Sequence, residues 1–202
     1  MARTPDIEMK RELLDQVVAY LADHGLGDMS LRPMAAALGT SPNRLVHHFG
    51  SKQELLSAAL AQATKIQVEV RTVWLDREPK MTQANLMRKW WKWLKASPAN
   101  LALTRLGLEA ATLEATHTGL TGEVRAEQIG VWREDIEQGL LAEGVPLAEA
   151  VIEASILKAM FTGLVVDLMA TGDRLRLTRA LEQGLGRFEA LEAAARARGT
   201  PA

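Results

Sequence analysis

Two adjacent histidines, His47 and His48, sit in the stretch GTSPNRLVHHFGSK (Gly39 to Lys52), beside Asn43, Arg44 and Lys52 and without a carboxylate. Imidazoles ligate metals, carry protons or donate hydrogen bonds to phosphates and bases, so three chemistries are open to this segment. As metal ligands the pair is poorly placed, because neighbouring residues on a helix point about 100° apart. Either ring can instead pack against the first helix, and His48 adjoins Phe49. For catalysis the chain has no Ser-His-Asp order, P-loop or HExxH motif. The EATH run, Glu114 to His117, has the Glu-x-x-His spacing of di-iron bundles. Those sites need a second such pair and further carboxylates, and no other Glu-x-x-His occurs. No metal, no cofactor and no catalytic residue is expected, and the chain is not read as an enzyme.

Recognition of anions and base edges remains, and it needs a helix to present the donors. Ser41 is a candidate cap, and Pro42 suits the first helical position, where its missing N–H costs nothing. With 100° between residues, Leu45 and Phe49 fall on one side, while Asn43, Arg44, His47 and His48 spread over the others. A short helix over 31–38, capped by Ser30 and stopped by Gly39, precedes it; an amphipathic helix over about 5–24 comes first. Ser51 and Glu54 form a capping box for a fourth helix running to about 75. A short helix, a glycine turn and a donor-rich helix describe a helix-turn-helix, whose second helix enters the major groove. Lys52 and the N–H groups opening the fourth helix suit a phosphate; for Arg32, phosphate contact and plain exposure are equally open.

The chain has 202 residues, 48% hydrophobic and 24% charged, enough for one or two domains with a core. It has no cysteine, which excludes disulfides, zinc fingers and thiol catalysis and fits a reducing compartment. No secretory signal or membrane-length apolar run is seen, so the expected compartment is the cytoplasm and no membrane partner is expected. The net charge of −1 hides an asymmetry: residues 6–28 hold six acids and only Lys10 and Arg11 as lysine or arginine, whereas 29–52 hold Arg32, Arg44 and Lys52 and no acid. Val, Ile and Thr never alternate with polar residues over a strand length, so an all-α fold is expected. Further helices are expected near 82–96, 99–116, 122–143, 147–171 and 175–197.

The segment MSLRPMAAALGTSPNRLVHHFGSKQELLSAAL resembles the DNA-binding domain of the TetR family of bacterial transcriptional regulators, over roughly residues 9–60. The resemblance implies a three-helix DNA-binding domain at 1–56, joined by a bridging helix to a larger helical effector-binding and dimerisation domain at 57–202. It implies a dimeric repressor released from a palindromic double-stranded operator by a small-molecule effector. Ser30, Arg32, Ser41, Pro42, Asn43, Arg44, Val46, His47, His48 and Lys52 are the candidate DNA-binding residues. Two positions depart from the family pattern: Val46 stands where a tyrosine is usual, and Asn43 where a small residue is common. Val46 cannot donate to a phosphate, although it can press on a thymine methyl. The rival reading is a helical adaptor or ligand-binding protein that does not bind DNA.

The run LMRKWWKWLK (86–95) places Trp90, Trp91 and Trp93 on the apolar half of a helix and Arg88, Lys89, Lys92 and Lys95 on the other. Such a face builds either a plain core or the wall of an aromatic cavity. The resemblance favours a cavity for an apolar or aromatic effector, with Met87, Trp90, Trp91, Trp93, Trp132, Met160 and Phe161 as candidates; His117 is a possible polar contact. The helices near 147–171 and 175–197 are the expected homodimer interface: the first is apolar over much of its circumference, and the second carries leucines at helical spacing.

Overall fold

A computed structural model of the chain describes residues 4–27, 29–116 and 125–199. The regular structure there is entirely helical: α1 (Thr4–His24), α2 (Leu31–Ala37), α3 (Pro42–Phe49), α4 (Lys52–Arg77), α5 (Gln83–Ala96), α6 (Pro98–Thr116), α7 (Arg125–Ala142), α8 (Leu147–Thr171) and α9 (Arg174–Gly199). These are the expected elements, displaced by a few residues at most. His117 lies outside the described residues, and nothing is described of the Glu114 side chain.

The turn between α2 and α3 closes as the sequence requires. Gly39 has φ of 63°, and the N–H groups of Gly39 and Thr40 reach the carbonyls of Ala36 and Ala35 at 3.2 and 2.9 Å. This is the paired bonding of a Schellman motif, which needs a residue that tolerates a left-handed backbone. At the other end of α2 one expectation fails. Ser30 occupies the N-cap position but makes no side-chain capping bond. A cap hydroxyl bonds the N–H of the second or third helical residue, and the third here is Pro33, which has none. Ser41 does cap α3, accepting from the Arg44 N–H at 3.2 Å, with Pro42 in the first turn. The capping box of α4 is complete: the Ser51 N–H donates to Glu54 Oε2 at 2.6 Å, and the Glu54 N–H to Ser51 Oγ at 3.1 Å. Hydrogen bonds to the carboxylate from the Ser51 N–H and, to a lesser extent, from the Ser51 side chain hold the Glu54 carboxyl below its usual range.

Backbone contacts divide the chain into two compact units, Met1–Arg77 with Ser97–Ile129, and Glu78–Ala96 with Gly130–Ala202. In the first, Val17 and Leu21 of α1, Met34 of α2, Leu45 of α3, Leu55 of α4 and Leu106 of α6 share one core. Helix α6 also fastens the end of α1. Arg105 Nη2 donates to the Ala22 carbonyl at 2.7 Å, and Glu109 Oε2 accepts from the Leu26 N–H at 2.8 Å. Arg105 and Glu109 pair with each other at 3.2 Å. Carbonyls at a helix end have no intrahelical partner, and a guanidinium from α6 serves them here.

In the second unit α5 buries Leu86, Met87, Trp90, Trp91 and Leu94, and Trp91 meets Phe161 of α8 edge-on at 6.0 Å. The basic side of α5 is tied to groups of the same unit. Arg88 pairs with Glu182 at 2.8 Å and Glu189 at 2.6 Å, Lys89 with Glu78 at 2.6 Å, and Lys95 donates to Thr178 at 2.9 Å. No helix among the described residues is long and apolar enough to cross a membrane. The first turn of α5 is capped from α9: Glu192, fully buried, accepts the Gln83 N–H through Oε1 at 2.9 Å. Its Oε2 and the side-chain oxygen of Gln83 are both buried without a hydrogen bond. Burial pushes the Glu192 carboxyl above the usual range; Glu143 and Glu189 add to this, and the Gln83 N–H and Arg196 oppose it.

Two outcomes follow for stability. Phe49, buried at the end of α3, should cost about 3–5 kcal/mol when cut to alanine; an unchanged melting temperature for Phe49→Ala would show that it is not a core residue. For Glu192 the folded state holds the proton more tightly than the unfolded chain. Its contribution is therefore complete below the unfolded value of about 4.3 and is lost as pH rises through the raised folded value. Glu192→Gln keeps an acceptor without the charge. It should raise the melting temperature at high pH, where the native carboxyl is ionised, and flatten the fall in stability as pH rises above the unfolded value. A variant that melts no higher, with the same pH slope, would mean that the buried carboxylate carries no such burden.

Candidate nucleic-acid interface

Helix α3 has eight residues, and its two sides differ sharply. Leu45 and Phe49 are buried, whereas Asn43, Arg44, Val46 and His47 are exposed. Ser41 is exposed at the cap and Pro42 half-buried beside it. Ser30 and Arg32, at the start of α2, and Lys52, the first residue of α4, are exposed as well. The structure thus keeps most of the expected set accessible on α2, α3 and the start of α4. His48 is the exception: its side chain is only 9% exposed, with Nδ1 3.8 Å from Asp6 Oδ1. Its ring meets Phe49 edge-on at 6.4 Å and His47 at 5.3 Å, the latter with the planes 86° apart. The packed alternative weighed for His48 therefore describes its position, and the exposed imidazole of α3 is that of His47.

Three residues of α1 join this site without having been singled out in the sequence. Asp6 faces His48, Met9 takes the Arg44 guanidinium against its thioether (Nη2–Sδ 2.7 Å), and Lys10 lies 5.3 Å over the Phe49 ring. Their signal was present, since 6, 9, 10, 13 and 17 continue the apolar stripe of α1 at helical spacing. They stay exposed, and only the placement of α3 shows which of its side chains they meet. The consequence is that Arg44 is partly held by α1, whereas Asn43 and Val46 lie free of such contacts among the described residues. Gly50, with φ of 87°, ends α3, and a Cβ there would strike the Glu54 carboxylate. Glycine at this position therefore lets α3 stop beside the capping box of α4.

The candidate effector residues meet in the second unit as a run of rings. Trp90 touches Trp93 (5.2 Å between centroids) and Trp132 (4.9 Å); Phe161 touches Trp132 (5.7 Å) and Trp91 (6.0 Å). Trp90 and Trp91 are buried, whereas Trp93 and Trp132 are half-exposed. Trp91 also donates through Nε1 to Thr178 at 2.8 Å, which satisfies its one polar group in the core. Met87 is buried on α5. Met160 is directed to α9, where a Cβ at Gly184 would overlap its thioether. Five of the seven candidates therefore form one continuous ring cluster.

Residues 13–59 match the family model described as bacterial regulatory proteins, tetR family. No curated protein matches the chain. Among solved structures, a transcriptional regulator from Rhodococcus sp. Rha1 superposes with a TM-score of 0.74 at 22% identity, covering 95% of this chain and 99% of that one. A TetR transcriptional regulator from Legionella pneumophila gives 0.75 at 15% identity over 93% and 98%. A regulator from Saccharomonospora viridis in complex with choline gives 0.68 at 20% identity over 90% and 95%. At these identities the structures establish the fold, and the family match establishes the N-terminal helices. The first helices of this chain are therefore a TetR-family domain, and the chain as a whole has the fold of TetR-family transcriptional regulators.

Proposed function

We propose that the protein is a homodimeric repressor that binds a palindromic double-stranded operator through α3 and is released by a small-molecule effector. The observation that carries this reading is the exposed side of α3. It presents a carboxamide, a guanidinium and an imidazole from Asn43, Arg44 and His47 with no carboxylate on the helix. Arg32 and Lys52 flank it as cations for phosphate, which positions a protein on DNA, while base contacts specify the sequence. Residues 1–56 serve as the reading head and 57–202 as the body, a functional division that cuts through α4. The protein works where its operator lies, in the cytoplasm.

Two copies are required because a palindrome has two half-sites, about 34–36 Å apart along the helix. Helix α8 supports a dimer. Val151, Ile152 and Val166 are 38%, 60% and 49% exposed on it, with Ala159 and Gly163 exposed between them. Large apolar groups with small ones between them allow two helices to approach closely and bury area; the exposed small residues of α9, Ala180 and Gly186, extend that surface. The effector is an apolar or aromatic molecule taken up at the ring cluster. A relative of the same fold holds choline, and indole faces attract alkylammonium groups, so such cations belong among the compounds tried. An effector releases the operator only to the extent that it prefers the unbound arrangement of the dimer.

The DNA reading is tested by salt. Affinity for a duplex selected from a random pool should fall steeply with ionic strength as counterions are released. Lys52→Ala should weaken all duplexes alike and reduce the salt slope by about 1, whereas His47→Ala should also change which duplexes are preferred. Failure to bind any duplex would leave a helical ligand-binding protein as the better description. The effector reading is tested at the rings. Trp93→Phe and Trp132→Phe, at half-exposed positions, should change ligand affinity with little loss of stability. Trp90→Phe and Trp91→Phe should mainly lower the melting temperature. If all four alter stability alone, and no compound both quenches tryptophan fluorescence and releases DNA, the cluster is simply core.

A further inference from the structure

We infer that Asn43 and Val46 together make the protein select an A·T-containing step in each half-site, the Asn43 carboxamide pairing with adenine and the Val46 side chain packing on a thymine methyl. The inference rests on the proposed DNA reading and adds what that reading leaves open, the chemistry of the base pairs chosen.

Val46 is 44% exposed, although it is apolar and β-branched. Single exposed apolar residues are common, but this one stands on the exposed side of the short donor-bearing helix, beside Asn43 and His47. One turn onward is Gly50, which has no side chain to cover it. Valine has no hydrogen-bonding group, so it can contribute nothing at a phosphate. In the major groove the apolar feature that distinguishes one base pair from another is the 5-methyl group of thymine. Asn43, three residues earlier, lies on the same side. A carboxamide offers one donor and one acceptor in a plane, the complement of adenine N7 and N6. Arg44, which would favour guanine, has its guanidinium against the Met9 thioether of α1.

Spacing ties the two contacts together. Side chains three residues apart on a helix stand about 5–6 Å apart, and stacked bases rise about 3.4 Å per step. The adenine and the thymine methyl should therefore lie one or two base-pair steps apart.

The test uses the full-length protein and the duplex enriched from a random pool. Each thymine is replaced in turn by uracil, which deletes only the methyl group. One thymine per half-site, within two pairs of an adenine, should be sensitive, with affinity falling about three- to fivefold for its lost methyl. Val46→Ala, at an exposed position and with an unchanged melting temperature, should weaken the thymine duplex and largely abolish the uracil effect. Asn43→Ala should lower discrimination at the neighbouring adenine by roughly fivefold to a hundredfold. A duplex that binds tightly but is indifferent to every uracil substitution overturns the inference and leaves the DNA reading intact. So does a Val46→Ala protein that keeps the full uracil penalty. Enrichment of no duplex at all overturns both.

Discussion

An eight-residue helix cannot stand alone in water, since isolated helices shorter than about 12–15 residues are marginal even with favourable composition. Helix α3 exists because Leu45 and Phe49 are buried in the core shared by α1, α2 and α4. Everything proposed for the exposed side depends on that burial. Two apolar anchors four residues apart fix the rotation of the helix about its axis, and the rotation decides which side chains are presented. Asn43, Val46 and His47 are outward because Leu45 and Phe49 are inward. The ends are held just as locally, by the Ser41 cap and by Gly50 beside the α4 capping box.

A second level of fastening is polar and long-range. Arg105 and Glu109 of α6 serve backbone groups at the end of α1, although they are some eighty residues away in sequence. Carbonyls and N–H groups at a helix end must find partners when they are screened from water. Supplying them from another helix makes the end of α1 and the position of α6 interdependent. In the other unit Glu192 does the same for the first turn of α5, from a fully buried carboxyl that burial renders reluctant to ionise. Neutral donors and acceptors could have filled either role. Ionisable groups do so here, which makes both junctions sensitive to loss of one partner.

The ring cluster shows how one helix can serve two purposes. The stripe of α5 places Trp90 and Trp91 in the core, while Trp93 shares the ring stack at a half-exposed position. The bases on the opposite side meet Glu78, Glu182, Glu189 and Thr178, so the helix is held by both faces. A basic amphipathic sequence can also lie on a membrane; here Arg88 and Lys89 find acidic partners in α9 and at Glu78 within the same unit, while Lys92 is exposed.

Much of this was legible from the sequence by itself, because it depends on local rules. Helix boundaries follow from caps, glycines and prolines within a few residues, and all the described helices fall where those signals put them. The inward positions of α1 and α3 follow from periodicity. The misreading at Ser30 was also local: Pro33 removes one of the two N–H groups that a cap bonds, and that proline was visible. Tertiary structure alone decided how the helices meet. That Asp6, Met9 and Lys10, exposed on α1, meet side chains of α3 is visible only once the two helices are placed together, and His48 became a packed ring rather than a presented one. Arg105, Glu109 and Glu192 carried no sequence mark of their roles. Their partners are backbone groups, which every residue possesses, and only the folded chain says which of those groups is left unbonded and within reach.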